Sequence, residues 1–551
     1  MILKTSPRDF WFWTTLAIAA LFVVFLVYPL FSLFASSFVD AESGGLTLTH
    51  YAAFFRKKYY YRALFNSMSV TLCVTVLAVL IGAPMAYLSS AFNIRGKKLL
   101  DTLIIVSMLS PPFIGAYSWI LLGGRSGLIT QFFADHLGVR TPTIYGFTGI
   151  LLVLTLKLYP FVYLYVSGAL KSIDVSLSEA AESLGCDPLK KVFTIVLPLI
   201  TPTVLAGALL VFMNALADFG TPMLIGEGFV VMPVLIYSEF VSEMGGQANF
   251  AAALAAIMVV ITCLIFLGQK YVVNKKSFTM SALRPMKPKD LAPVPSGLAH
   301  LFIYGLVFLS IIPQITVVYT SFMKVNGVMF APGFSLDSYR IIFDKLGTAI
   351  TNTYVFGLVA IAIIVFLGMS IAYLATRRRN LITSIIDTFT MFPYIIPGSV
   401  LGITLLLAFN KPPLVLSGTA AIIVLAFVVR RLPYTLRSSA AILYQISPSV
   451  EEASISLGCS PMRTFFKVTA VMMLPGVMAG AILSWITVIN ELSASVILYT
   501  GGTRTMSVSI YTEVIRASYG TAAALSSVLT LTTVVSLLIF FKLTGGKELA
   551  L

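Results

Sequence analysis

The sequence predicts an all-α polytopic membrane protein whose twelve transmembrane helices form two parallel six-helix repeats. Three observations predict it. Of 551 residues, 58% are hydrophobic and 11% are charged, and the mean hydropathy is +0.95. Apolar runs of about 20 residues, the length that crosses ~30 Å of hydrocarbon, recur along the whole chain. The second half then repeats the first. A soluble domain carries about 25% charged residues, so this composition excludes a soluble enzyme, a disordered chain and a secreted disulfide scaffold.

The predicted spans are 12–38, 66–91, 100–122, 144–168, 197–218 and 249–269, then 299–322, 351–375, 384–409, 416–436, 472–492 and 521–543. Transmembrane barrels show short alternating segments instead, so these runs read as helices. Lys4 and Arg8 precede the first run, as in a signal peptide. That run is longer than a signal's apolar core and has a counterpart at 299–322, so it reads as a retained span. An even span count puts both termini on one side. With that side cytoplasmic, Lys and Arg favour the inside about two to one. Arg95, Lys97 and Lys98 and the triplet Arg377, Arg378 and Arg379 carry much of this bias, so the net charge of +15 reads as topology and not as a nucleic-acid surface. The stretch 220–248 reads as an external loop with three Glu and no basic residue.

The duplication is read from matched residues. Asn66 matches Asn352, Ala86-Tyr87-Leu88 matches Ala372-Tyr373-Leu374, Asp101 matches Asp387 and Pro111 matches Pro397, all at one offset. After a gap in the loop following the third span, a second offset aligns Glu179 with Glu452, Gly185 with Gly458, Cys186 with Cys459 and Pro202 with Pro475. The expected organisation is a first repeat at 1–269, a basic, proline-rich cytoplasmic linker at 270–298 and a second repeat at 299–551. Six spans per copy leave the copies in the same orientation, so they are parallel repeats.

The loops after spans four and ten carry the most information. Ser176 with Glu179, and Ser449 with Glu452, fit capping boxes. Leu177, Ala180, Ala181 and Leu184 follow helical spacing, as do Val450, Ala453, Ser454 and Leu457. Gly185 and Gly458 suit the left-handed position that stops a helix. Asp187-Pro188 and Ser460-Pro461 then supply a cap and a first-turn proline for a second helix. A helix–turn–helix on the cytoplasmic face of each copy offers two equivalent docking knobs, the alternative being helices that merely lie on the membrane surface.

At these residues the chain resembles the permeases of binding-protein-dependent ABC importers, whose loop reads Glu-Ala-Ala, three residues, Gly, nine residues, Ile-x-Leu-Pro. Glu179-Ala180-Ala181, Gly185 and Ile195-Val196-Leu197-Pro198 match at that spacing. The second copy keeps Glu452, Ala453, Gly458 and Pro461, but Val468-Thr469-Ala470-Val471 stands where Ile-x-Leu-Pro is expected. The resemblance spans both halves. It implies the type I ABC importer permease fold and coupling helices that dock into two ATPase subunits. It also implies ATP and Mg used by those subunits with no cofactor on this chain, and an external binding protein that delivers the solute. No Gly-x4-Gly-Lys-Ser/Thr loop occurs in the sequence, and Gly545-Gly546-Lys547-Glu548 lacks both its spacing and its hydroxyl. The chain is therefore expected to be a transporter subunit of the cell inner membrane and not an enzyme. Its fused halves make one copy per transporter sufficient. A secondary transporter with two six-span halves and a polytopic membrane enzyme are the competing classes. The fused layout and Ala217-Asp218-Phe219-Gly220-Thr221 look most like ferric-iron permeases, while thiamine, phosphonate, sugar-phosphate and polyamine systems are related alternatives.

Four ionisable residues fall at membrane depth, where charge is costly and marks function by default. Lys157 matches Arg430, with Arg431 beside it, and Asp218 matches Glu491. Two readings stand: they line the pathway, or Asp218 and Glu491 cap helix ends while Lys157 and Arg430 snorkel to cytoplasmic headgroups. Tyr59, Tyr60 and Tyr61 among basic residues read as part of the first external loop. Cys73, Cys186, Cys263 and Cys459 have no ligand-like spacing, and His50, His136 and His300 lie far apart, so no metal site is expected.

Overall fold

The computed structural model describes residues 10–40, 43–109, 111–139, 143–242, 248–275, 288–327 and 329–543. Among these, nine helices are long and apolar enough to cross a membrane, and two bent helix pairs raise the number to eleven. The remaining predicted span falls on Ala420–Gln445, whose 26 residues reach ~39 Å. It carries Arg430, Arg431 and Arg437 and is correspondingly less apolar. The expected twelve spans are compatible with this set. A two-stranded antiparallel hairpin, Met323–Asn326 with Met329–Phe334, is the one sheet among the described residues of this otherwise helical chain. Tyr59, Tyr60 and Tyr61 belong to the first turn of Lys58–Ala91 and not to a loop.

Two spans expected to be continuous are broken at equivalent places. Lys97–Leu109 gives way to Pro112–Gly123, and Leu381–Ile395 to Gly398–Ala408 with a bend of 114°. Pro111 and Pro397 cap the second member of each pair, at φ −54°, ψ 132° and φ −54°, ψ 142°. A proline lacks the N–H that would continue the ladder and pushes its predecessor toward extended backbone. Ile396 duly lies at φ −77°, ψ 132°.

The chain forms two compact units that cut across the sequence copies. One holds the described residues of Met1–Lys57, Ile236–Val259 and Thr320–Lys547; the other holds those of Lys58–Leu235 and Val260–Tyr319. The first span, Phe10–Ser37, therefore packs among helices of the second copy. Trp11 lies 4.5 Å from the Tyr373 ring and 5.0 Å from that of Phe465, and Tyr28 Oη donates to Ala408 O at 3.3 Å. Reciprocally, Pro293–Ser321 packs among helices of the first copy. Its Ala299, Ile303 and Val307 share a core with Val74, Leu154 and Val162, and Ser310 Oγ donates to Tyr159 Oη at 3.3 Å.

Within each unit two long helices run against each other, Lys58–Ala91 with Phe147–Lys171 and Asp337–Arg377 with Ala420–Gln445. Small residues permit the approach, as is usual between helices in lipid. A Cβ added to Gly82 would meet Tyr159 O at 2.7 Å, and one on its repeat counterpart Gly368 would meet Thr435 Cγ2 at 3.1 Å.

Candidate functional site

The two loop helices form as the sequence predicts, at Val175–Ser183 and Pro448–Ser456. Their caps stand two residues earlier than the capping boxes expected. Asp174 accepts from Ser176 N at 2.9 Å, and Ser447 from Ser449 N at 3.4 Å. A carboxylate or hydroxyl placed one position before the helix reaches the first free N–H groups, whereas Ser176 and Ser449 already lie inside the helix.

Both helices stop in the same motif. Gly185 has φ +75° and Gly458 φ +88°. In the first copy Gly185 N donates to Glu182 O and Cys186 N to Ala181 O, each at 3.0 Å. In the second, Gly458 N donates to Ile455 O at 2.9 Å and Cys459 N to Ser454 O at 3.2 Å. These are the paired closing bonds of a Schellman stop. Each chain then restarts, at Pro188 and at Pro461, where Ser460 Oγ accepts from Arg463 N at 3.4 Å. Single π turns follow at Val192–Val196 and Phe465–Thr469. Pro198 comes just after the first of these, yet the second forms with Val471 in its place, so the missing proline leaves the backbone of the second copy unchanged.

The faces that the loop helices turn outward are not wholly polar. Leu184 is 88% and Leu457 87% exposed; Glu179, Ala180, Glu452 and Ala453 are also exposed, while Ala181 is buried. The expected apolar stripe is thus largely turned to the outside.

What holds each loop helix down differs between copies. Glu182 pairs with Lys191 at 2.5 Å and Lys289 at 3.4 Å, and the hydrogen bond from Lys191 holds its carboxyl below the usual carboxylate range. Lys289 belongs to the end of the linker, which lies beside the turn after the second span: Lys289 N donates to Ala91 O at 2.9 Å, and Asn93 N to Lys289 O at 3.0 Å. Linker residues 276–287, including Arg284 and Pro285, lie outside the described residues. In the second copy Glu451 is buried instead, accepting from Arg377 Nε and Tyr373 Oη, both at 3.1 Å. Arg377 reads from sequence as an orientation signal; its partner was not legible there.

The membrane-depth charges form two matched clusters, a pair in the first copy and a triad in the second. Lys157 Nζ lies 2.9 Å from Asp218 Oδ2, and Arg430 lies 2.6 Å from Glu491 Oε1, with Arg431 on Glu491 Oε2. The carboxylates do occupy helix ends. Asp218 follows Ala217 at the C-terminus of its span and accepts from Thr221 N at 2.9 Å, and Glu491 accepts from Ala494 N at 3.2 Å. Lys157 and Arg430 lie near the middle of Phe147–Lys171 and Ala420–Gln445, about ten residues and ~15 Å from each helix start, and their charges meet these carboxylates where snorkelling to headgroups was the expectation. Loop helices and ion pairs stand at opposite ends of Val192–Ala217, a helix of 26 residues or ~39 Å.

Of the stretch expected as an external loop after Asp218, residues 220–236 are mostly buried or partly buried. Gly220–Ile225 is a short helix with Gly220, Thr221, Pro222 and Ile225 in the interior, and Met232 and Leu235 are fully buried. Asn66 Nδ2 donates to Val230 O at 2.9 Å, and Met232 N donates to Ser67 Oγ at 2.8 Å. The second copy repeats this: Asn352 Nδ2 donates to Gly502 O at 2.9 Å and Arg504 O at 3.0 Å, and Met506 N to Thr353 Oγ1 at 2.7 Å. The matched asparagines thus hold irregular backbone in place, partly buried at Val230 and Arg504. Among the described residues no group of three or more His, Cys, Asp or Glu side chains is placed to hold a metal ion.

Residues 78–278 and 364–542 each match the family described as the binding-protein-dependent transport system inner membrane component. The ferric transport system permease protein FbpB of Actinobacillus pleuropneumoniae is 28% identical over 545 residues, 97% of this chain and 78% of that protein. The Fe(3+)-transport system permease protein FbpB 2 of Haemophilus influenzae is 26% identical over 529 residues, 95% of this chain and 97% of that one. A crystal structure of a bacterial alginate ABC transporter in complex with an alginate-bound periplasmic protein aligns at 18% identity and a TM-score of 0.41, covering 50% of this chain and 97% of that one. The matched segments fill more than half of the sequence, and the chain belongs to the binding-protein-dependent transport system inner membrane components, with the family's domain present twice.

Proposed function

We propose that this multi-pass permease forms the translocation pathway of an ATP-driven importer of ferric iron. An external binding protein delivers the iron, and two ATPase subunits that bind ATP and Mg dock on the two loop helices. One copy of the chain supplies both halves of the pathway, and both termini are cytoplasmic. Glu179, Ala180, Ala181, Gly185 and Pro198, with Glu452, Ala453, Gly458 and Pro461, form the two coupling loops.

The observation that carries this reading is the recurrence of one device in both copies: an outward-turned short helix, a glycine stop, a restart and a π turn at the foot of a long span. π turns inside helices gather at functional sites. Ferric iron is favoured by the two relatives that align over nearly the whole chain, both named as ferric permeases.

The test is uptake into proteoliposomes holding this chain with its cognate ATPase and binding protein. Expected is radiolabelled ferric iron accumulation that requires ATP and the loaded binding protein. Accumulation on an ion gradient with the purified chain alone would refute the reading. Uptake of thiamine, a phosphonate, a sugar phosphate or a polyamine in preference to iron would refute the substrate while leaving the mechanism.

A further inference from the structure

We propose that Lys157 with Asp218, and Arg430 with Glu491, are positioning residues of the transport cycle. Each pair fastens the far end of a loop-bearing span both to the neighbouring span and to the buried segment beyond it. This deepens the coupling reading above and rests on it.

Both carboxylates join corresponding elements. The span that starts beyond each loop helix runs on as one helix and ends at the carboxylate-bearing residue or just before it. Asp218 uses its two oxygens for two different elements: Oδ2 takes the Lys157 ammonium at 2.9 Å, and Oδ1 takes the N–H of Thr221 at 2.9 Å. Glu491 joins the corresponding elements one methylene further out but divides its oxygens differently: Oε1 takes both Arg430 at 2.6 Å and Ala494 N at 3.2 Å, and Oε2 takes Arg431. Asp218 and Glu491 are 5% and 3% exposed in their side chains. Each carboxylate is therefore a three-way junction joining the loop-bearing span, the adjacent span and the buried segment that follows.

Fold stability alone is a weak reason for such junctions. A buried ion pair replaced by apolar side chains of similar volume often leaves stability unchanged or raised. Charge-assisted hydrogen bonds are directional, however, and apolar contacts are not. A directional junction carries a displacement or rotation of the span to the buried segment, where an apolar contact lets the two slip. The change of partners between copies fits this role. Lys with Asp in one copy and Arg with Glu in the other preserve the junction while changing both side chains together.

The experiment compares two double variants with wild type in the full transporter, reading solute taken up per ATP hydrolysed. K157M/D218L keeps the branching and approximate length of the side chains and removes the charges; K157R/D218E installs the other copy's Arg–Glu pair. Expected is that K157M/D218L inserts, assembles and hydrolyses ATP but imports at a ratio lowered about tenfold, a coupling loss of ordinary size, while K157R/D218E recovers most of the wild-type ratio. A wild-type ratio in K157M/D218L overturns the proposal, and so does K157R/D218E as uncoupled as K157M/D218L. If K157M/D218L does not assemble, D218N against K157R/D218E decides on the same ratio: equal ratios overturn the proposal, and a ratio lowered only in D218N supports it. Wild-type uptake that needs no ATP fails the function reading itself, a result separable from all of these.

Discussion

Replacing Gly185 with valine tests the loop-helix stop in isolation. The position has φ +75°, and a Cβ built there meets nothing within 4 Å, so the cost of substitution is conformational and not steric crowding with neighbours. An L-residue in left-handed backbone costs about 1–2 kcal/mol, and a β-branched one is a genuine outlier there. If the residue leaves that region, the two closing bonds to Glu182 O and Ala181 O go with it. The helix spans only nine residues, too short to persist without its ends tied. A loss of 1–2 kcal/mol multiplies the open population by about 5–30. Amide hydrogen exchange over 175–186 in the assembled membrane protein reads this directly. Protection is expected to fall by that factor in Gly185→Val, to fall less in Gly185→Asn, which tolerates left-handed backbone, and to stay unchanged in the core of Phe147–Lys171. Uptake per ATP should fall in the same order. Wild-type protection in Gly185→Val, or equal losses in the valine and asparagine variants, would refute the reasoning.

Two further predictions separate neighbouring charges. Glu451 is buried against Arg377 and Tyr373 while Glu452 is exposed, so Glu451→Ala should cost about 3–5 kcal/mol and Glu452→Ala less than about 0.5 kcal/mol in thermal unfolding of the purified protein; equal melting shifts would show the burial to be irrelevant. Lys191 holds the Glu182 carboxyl below its ordinary range, so the contribution of that pair is fully present above the usual carboxylate pKa and is lost as pH falls through the lowered value. Exchange protection over 175–186, corrected for intrinsic rates, should stay level from about pH 8 to about pH 5 and drop below about pH 4. Glu182→Gln should remove that pH step, and a step that survives in the variant would assign it elsewhere.

Much of this was legible because the chain carries its own comparison. Gly185 and Gly458 announced two helix stops, and both have positive φ. Pro111 and Pro397 matched across the copies, yet hydropathy alone reads straight through them, since a broken span and a continuous one have the same composition. The ion pairs had a usable signal: Lys157 precedes Asp218 by the same 61 residues that separate Arg430 from Glu491. The cap positions were not legible, because Asp174 and Ser176, and Ser447 and Ser449, are neighbouring candidates, and only backbone geometry chooses between them. The burial of 219–235 was not legible either. Its helices are too short to register as spans, and its irregular backbone is satisfied by Asn66 and Ser67 from more than 160 positions away.

The exchange of first spans sets an order on biosynthesis. A chain emerging from the ribosome has made Phe10–Ser37 more than 300 residues before Asp337–Arg377, the helix that carries its Tyr373 partner, exists. The core around Val74, Leu154 and Val162 likewise waits for Pro293–Ser321 to be inserted. Neither copy is a self-sufficient folding unit, and a product halted at the linker holds one orphaned helix and one unfilled core. Domains usually fold in the order they are synthesised; here the unit built on Lys58–Leu235 has all its described elements once residue 319 is made, while the unit that takes in Phe10–Ser37 waits for the second copy, so the first span to be made is among the last to find its neighbours.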